Sequence, residues 1–174
     1  MKKTAQGFTL VELLVVIAII AILAAVVLLV VNPLELTRRG RDATRLADLS
    51  NIQNAINITM QEASGTGADT LLCAGHSGAP TGCTGDSSAA GATAINGSGW
   101  VKVDLTQQKS VSVSILPVDP VNSGTYKYTY AANTAETGYE LDAVLESDQY
   151  KPKMGTDGSN DGAHYEVGTD LSAE

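Results

Sequence analysis

Gly7-Phe8-Thr9-Leu10-Val11-Glu12 opens the stretch that decides the fold, and residues 13–31 follow it as nineteen consecutive apolar residues. A helix over residues 8–31 would be about 36 Å long at about 1.5 Å per residue. That length exceeds the hydrocarbon core of a bilayer, which is about 30 Å thick. Because only a helix satisfies its own backbone hydrogen bonds in lipid, the stretch predicts one continuous transmembrane helix.

Glu12 is the one charged residue of this predicted span. A carboxylate within a spanning helix costs on the order of 3 kcal/mol, and such residues usually have a function and a partner. If the chain were cut between Gly7 and Phe8, the new amine would lie four residues before Glu12 on the same helix face. We expect that amine, from the same chain or from a neighbouring copy, to pair with Glu12. The alternative is that Glu12 is a tolerated acid near the membrane surface.

The short basic leader, Gly7, the order from Phe8 to Glu12 and the apolar run resemble the class III signal peptide of type IV pilins and type II secretion pseudopilins. The resemblance implies that a prepilin peptidase removes residues 1–7 by cleaving between Gly7 and Phe8, and then methylates the Phe8 amine. It also implies that Glu12 guides each subunit into a growing filament. An ordinary secretory signal fits less well, because its apolar region has only about 7–15 residues.

The charges predict a topology and exclude one class of partner. Lys2 and Lys3 favour a cytoplasmic N-terminus, whereas Arg38 to Arg45 on the other side argue the opposite way. The leader motif favours a cytoplasmic N-terminus. We therefore expect a single pass through the cytoplasmic membrane with an extracytoplasmic C-terminal domain. The net charge of −8 becomes more negative once the leader is removed, which argues against nucleic-acid binding.

Residues 32–63 predict an amphipathic helix. Pro33 lacks an N–H group, so we expect a kink or local melting at residues 31–34. Beyond it, Leu49, Ile52 and Ile56 recur at helical spacing and should pack on the chain's own domain. The cluster from Arg38 to Arg45 has two open interpretations. It either contacts acidic groups of neighbouring subunits or lipid phosphates, or it forms a solvated face.

Residues 64–99 are rich in glycine and serine and predict a long exposed loop. Cys73 and Cys83 are the only cysteines, and an extracytoplasmic compartment is oxidising. We therefore expect a disulfide between them. The alternative is a metal site formed by Cys73, His76 and Cys83, which offers only three ligands.

Residues 100–174 predict an antiparallel sheet, with the amphipathic helix over its apolar face. The predicted strands are 100–105, 111–115, 126–130 and 139–146, with Leu141, Ala143 and Leu145 facing inward. Pro117-Val118-Asp119-Pro120 predicts a rigid, non-helical crossing. This crossing and the tyrosine-rich strand after it are similar to major pseudopilins. The expected fold is therefore α+β and pilin-like: a long N-terminal helix, transmembrane and then amphipathic, packed on a small antiparallel sheet.

The C-terminal stretch Asp157-Gly158-Ser159-Asn160-Asp161-Gly162 fits the first half of an EF-hand calcium loop. The twelfth position of that loop should be a glutamate but is Gly168, so Glu166 or Asp170 would have to complete the coordination. Major pseudopilins carry calcium near this end, and the resemblance implies Asp157, Ser159, Asp161 and Asp170 as ligands. The alternative is a polar turn without an ion.

These observations predict a structural subunit of a pilus-like filament. Its partners would be other copies of itself, minor pilins and the membrane, and by resemblance an inner-membrane platform protein, an assembly ATPase and the prepilin peptidase. The filament is either a type II secretion pseudopilus or an extended pilus. A monomeric membrane-anchored binding protein is the alternative, and a membrane-tethered enzyme is a distant one, because no catalytic motif occurs in the sequence.

Overall fold

A computed structural model describes residues 7–63, 72–74, 83–107, 110 and 113–173 of the 174-residue chain. The chain divides into two compact units, Met1–Thr37 and Arg38–Glu174. The first contains the apolar helix and the second the helix-and-sheet domain, so the fold is α+β and pilin-like, as predicted.

Helix α1 (Leu10–Val31) begins at Thr9, whose extended backbone and side chain form the N-cap. Among the described helices, α1 is the one that is long and apolar enough to cross a membrane, with its span at Leu10–Leu28. Its large apolar side chains between Leu10 and Leu28 are exposed. The predicted break occurs at Asn32, where φ is 29°, and helix α2 (Pro33–Ala63) begins at the next residue. Proline is well tolerated there because the first helical position needs no N–H donor.

In the second unit, the apolar stripe of α2 belongs to the main hydrophobic core, as predicted. Leu49, Ile52 and Ile56 are buried in the same cluster as side chains from the sheet. Tyrosine hydroxyl groups add specific contacts between the two layers. Tyr128 Oη donates to Asp48 Oδ2 at 2.9 Å, and Tyr139 Oη donates to Asn57 Oδ1 at 2.8 Å. Helix and sheet are therefore joined by apolar packing and by hydrogen bonds.

The sheet has four antiparallel strands in the order β1-β2-β3-β4. The strands are β1 (Cys83–Asp86), β2 (Thr129–Ala132), β3 (Tyr139–Ala143) and β4 (Tyr165–Gly168). All five residues of β3 are buried, so both faces of this strand are covered. The prediction that Leu141, Ala143 and Leu145 face inward is confirmed.

One other strand prediction is wrong, and a second is right only at its end. Residues 100–105 do not form a strand: Asp104 makes only an isolated bridge with Asn96, and Leu105 begins the short 3-10 helix Leu105–Gln107. Their backbone groups bond to loops, because Trp100 N–H donates to Ala92 and Leu105 N–H to Ile95. The predicted strand at 126–130 begins only at Thr129, because Ser123 and Tyr126 close a turn on each other. Of the predicted strand 111–115, residues 113–115 are not in a strand and the first two lie outside the described residues.

For these segments, the prediction of which side chains are buried is more accurate than the prediction of strands. Val101, Val103 and Leu105 are buried, as alternation indicated, whereas Ile115 is exposed. The crossing at 117–120 is non-helical, as predicted. It lies beside the core, because Trp100 Nε1 donates to the Pro117 carbonyl at 2.8 Å. Strands β1 and β4 were not predicted, and they lie in the regions interpreted as a loop and as a calcium-binding tail.

Candidate functional site

Thr9 and Glu12 form a capping box at the start of α1. The Glu12 carboxylate accepts hydrogen bonds from the Thr9 N–H at 2.9 Å and from Thr9 Oγ1 at 2.8 Å. The Glu12 N–H in turn donates to Thr9 Oγ1 at 3.3 Å. Within one chain, the partner of Glu12 is therefore Thr9. The prediction missed this role of Thr9, although a threonine followed three residues later by a glutamate is the sequence signature of a capping box.

Gly7 and Phe8 precede this cap as exposed residues outside the helix. A side chain added at Gly7 would meet no atom within 4 Å, and Phe8 is 83% exposed. Both residues of the predicted cleavage site are therefore exposed in the part of the chain that the structure describes. The pairing of the Phe8 amine with Glu12 stays a prediction, since that amine exists only after cleavage.

Arg45 is the centre of a buried ion network in the second unit. Its guanidinium bonds to Asp119 through Nε at 2.6 Å, and its Nη1 lies 2.8 Å from Asp42 and 2.6 Å from Glu146. The side chains of Arg45, Asp42 and Asp119 are fully buried. Both interpretations of the arginine cluster are therefore wrong for Arg45, because its partners belong to its own domain.

The same network joins α2 to two distant segments. Asp42 accepts hydrogen bonds from the backbone N–H groups of Glu146 and Ser147, at 3.0 and 2.7 Å. Asp119 lies in the predicted proline crossing and also accepts the Val121 N–H at 2.7 Å. Arg41, whose side chain is partly exposed, also forms an ion pair with Glu146. A buried arginine with three acidic partners fixes the helix against both segments.

We expect acid to destabilise this network through Glu146. Hydrogen bonds from Arg41, and further bonds from Arg45, lower the pKa of Glu146 from 4.5 to about 2. A depressed carboxyl pKa contributes stability above pH 4.5, and this contribution is lost as the pH falls towards 2. By pH 3, Glu146 should have lost about 2 kcal/mol of its contribution to the free energy of unfolding.

The measurement is urea unfolding of the full chain in detergent micelles between pH 6 and pH 3, compared with Glu146→Gln. The amide keeps the shape of the side chain but does not titrate in this range. The difference in stability between the two proteins should therefore shrink as the pH falls. Parallel pH profiles would contradict the role assigned to Glu146.

Cys73 and Cys83 form a disulfide, with Cα atoms 5.9 Å apart. The bond joins residues 72–74 to β1, and Tyr130 Oη adds a hydrogen bond to the Leu72 carbonyl at 2.7 Å. The alternative metal site is wrong for this structure, because both of its thiols are oxidised. His76 lies outside the described residues. The disulfide therefore fixes one end of the long loop against the sheet.

Three of the four residues predicted to bind calcium are neighbours, because Ser159 Oγ donates to Asp157 Oδ1 at 2.7 Å and lies 3.3 Å from the Asp161 carbonyl oxygen. Asp157 Oδ1 accepts the Ser159 N–H at 3.2 Å, and Asp161 Oδ2 lies 2.7 Å from His164 Nδ1. Asp170 instead accepts a hydrogen bond from Asn133 at 2.8 Å. Among the described residues, the carboxylate oxygens of Asp157, Asp161 and Asp170 do not all three lie within 4.8 Å of one another. Calcium binding by this set therefore stays a prediction.

The last four positions of the predicted calcium loop, residues 165–168, form strand β4 instead. A Cβ atom at Gly168 would lie 2.0 Å from the Tyr139 carbonyl oxygen, so close strand pairing excludes a side chain at this position. Glu166, two residues earlier, is buried, and its N–H donates to Asp157 Oδ2 at 3.0 Å. Burial, together with the charges of Glu140 and Asp157, raises the pKa of Glu166 to about 7.

Comparison with known families identifies the N-terminal segment. Residues 2–28 match the family model described as the prokaryotic N-terminal methylation motif, which is the class III prepilin signal. The match contains Gly7, Phe8, the capping box and most of α1. No curated protein and no solved structure matches the chain.

Proposed function

We propose that this chain, which carries the class III prepilin signal of type IV pilins and pseudopilins, is a structural subunit of a type IV pilus-like filament. The observation that carries the proposal is the motif at residues 2–28, together with the exposed apolar side chains of α1 between Leu10 and Leu28. Such a helix needs either lipid or other helices around it, because water is an unfavourable environment for a surface of this kind. A filament subunit uses both environments in turn.

Packing of α1 against other copies of α1 is the proposed basis of assembly. Each subunit waits in the cytoplasmic membrane with its second unit on the extracytoplasmic side. Leucine, isoleucine and valine dominate the helix, while Ala18, Ala21 and Ala24 supply small side chains that let neighbouring backbones approach. On assembly, lipid around the helix is exchanged for helices of neighbouring subunits, and the second units form the outer surface of the filament.

Glu12 and the Phe8 amine set the register of the bundle in this proposal. Before assembly, the capping box satisfies the Glu12 carboxylate within its own chain. Cleavage at Gly7 creates a cation next to the cap. In the filament, that amine meets Glu12 of a neighbouring copy, and the two charges neutralise each other in an apolar environment. A misaligned subunit would leave both charges unpaired, which is costly there.

A prepilin peptidase, a platform membrane protein, an assembly ATPase and minor pilins complete the proposed system. Two features bear on which filament it is. The calcium binding that we predict and the proline crossing at 117–120 favour a secretion pseudopilus, whereas the loop fixed by Cys73 and Cys83 suits display on an extended pilus. The role is structural in either case, and we propose no enzymatic activity.

N-terminal processing gives a direct test. Mass spectrometry of the protein from cells should show a chain that begins at Phe8, with a methyl group on its amine. Gly7→Val should block cleavage, because the enzyme is expected to recognise the small residue at this position. The uncut variant should accumulate in the membrane and be absent from sheared surface material.

A wild-type chain that still begins at Met1 would contradict both the processing and the assembly proposals. Cysteine cross-linking distinguishes the filament from the alternative of a monomeric binding protein. A single cysteine introduced on α1, in a chain whose own disulfide is intact, should cross-link to its copy in neighbouring subunits. A monomeric anchor would give no such cross-links.

A further inference from the structure

Three acidic side chains meet on the sheet surface formed by β3 and β4. Glu140 and Asp142 are two residues apart on β3 and therefore point to the same face. Glu166 lies directly opposite Asp142 in the strand register. One carboxylate oxygen from each residue lies within 4.8 Å of the others.

All three side chains are buried, with exposed fractions of 2% for Glu140, 3% for Asp142 and 4% for Glu166. Glu140 Oε2 accepts the Ala173 N–H at 3.1 Å, and Asp142 Oδ2 accepts a hydrogen bond from Thr129 Oγ1 at 2.7 Å. Glu166 Oε2 is buried and accepts no hydrogen bond from any described residue. A buried carboxylate oxygen without a partner costs free energy, so this oxygen indicates a missing ligand.

Glu166 differs from the acidic residues around Arg45. There, a fully buried guanidinium lies among three carboxylates and neutralises part of their charge. Here, none of the ion pairs in the described ranges includes Glu166, although two carboxylates of β3 are its neighbours. Like charges directly opposite each other destabilise a strand pair, so a cation between the strands would remove a repulsion.

We propose that Glu140, Asp142 and Glu166 bind a hard divalent cation, with calcium as the preferred ion. Carboxylate oxygens are the ligands of hard cations, and calcium binds them at about 2.3–2.6 Å. The three side chains are buried and leave little room for water around an ion. This favours calcium, because magnesium usually keeps several waters and gives them up reluctantly.

This site is distinct from the calcium loop predicted at residues 157–162. Its ligands come from paired strands, and only Glu166 was considered for both. Asp157 lies next to it, because its Oδ2 accepts the Glu166 N–H, and its charge makes the local potential more favourable for a cation. The ion would hold β3 to β4, and through Glu140 it would also stabilise the end of the chain at Ala173.

Thermal unfolding of the full chain in detergent micelles, with 1 mM CaCl₂ or with EGTA, tests the site. Wild-type protein should unfold about 5 °C or more higher with calcium. Glu166→Gln should lose this shift. In EGTA, the same variant should unfold at or above the wild-type temperature, because one of three like charges has been removed. A merely structural defect would instead lower the unfolding temperature in both buffers.

Asp161→Asn is the matched control, since Asp161 belongs to the predicted loop and not to the strand site. It should keep the calcium shift. Metal analysis after gel filtration should find one calcium ion per wild-type chain and none in Glu166→Gln. The proposal is overturned if wild-type protein shows no calcium shift, or if Glu166→Gln keeps the shift while Asp161→Asn loses it.

Discussion

Glu12→Gln should leave the protein in the membrane and lower the yield of sheared filaments at least tenfold. Glutamine keeps the capping interaction with Thr9, because glutamate and glutamine both serve at this position of a capping box. The variant therefore removes the charge without removing the helix cap. Loss of one favourable contact worth about 1.4 kcal/mol at each subunit already lowers association tenfold. The measurement is an immunoblot of sheared and membrane fractions.

Thr9→Val is the matched control for this experiment. It removes the hydroxyl that bonds to the Glu12 carboxylate and to the Glu12 N–H, but it leaves the carboxylate charged. If charge pairing with a neighbouring amine sets the register, Thr9→Val should still assemble. Normal filament yield from Glu12→Gln would contradict the register proposal. Failure of Thr9→Val together with normal assembly of Glu12→Gln would assign the role to the helix cap.

Arg45→Met should lower the free energy of unfolding of the second unit by about 3–5 kcal/mol. Methionine fills much of the same space, so the main cost comes from charge. Removal of the guanidinium leaves Asp42, Asp119 and Glu146 buried near one another without the cation that bonds to all three. Urea unfolding followed by Trp100 fluorescence measures the loss, because Trp100 is the only tryptophan and is buried in the core.

Arg39→Met is the control for Arg45→Met, since the same substitution is made six residues earlier on the same helix at an exposed position. It should change the free energy of unfolding by less than about 1 kcal/mol. A similar small loss for Arg45→Met would show that the buried network contributes little. Far-UV circular dichroism of both variants would confirm that α1 and α2 still form.

The helical spacing of Arg45 already indicates that it lies on the buried face of α2. Asp42, Arg45, Leu49, Ile52 and Ile56 follow one another at spacings of three or four residues, so they lie on one face of α2. The apolar part of this stripe was correctly interpreted as buried. Charged residues on the same stripe were assigned to the surface, because burial of a charge needs partners. Those partners lie 74 and 101 residues further along the chain.

The missed strands have a related cause. Strand β1 reads Cys-Thr-Gly-Asp and has neither alternating apolar residues nor β-branched runs. It pairs with β2 across more than forty residues, while the disulfide at Cys83 holds its first residue. Strand β4 follows a polar loop whose spacing imitates a calcium site. Pairing with β3, rather than local preference, makes each segment a strand.

The sequence by itself determined α1, the break before Pro33, the apolar face of α2 and the prepilin signal, because each depends on residues within a few turns of one another. The tertiary structure alone decided that Arg45 is buried, that β1 and β4 complete the sheet, and that Glu140, Asp142 and Glu166 meet. Charge burial and strand pairing are favourable only when distant segments supply the partner groups. Those groups come together only when the chain has folded.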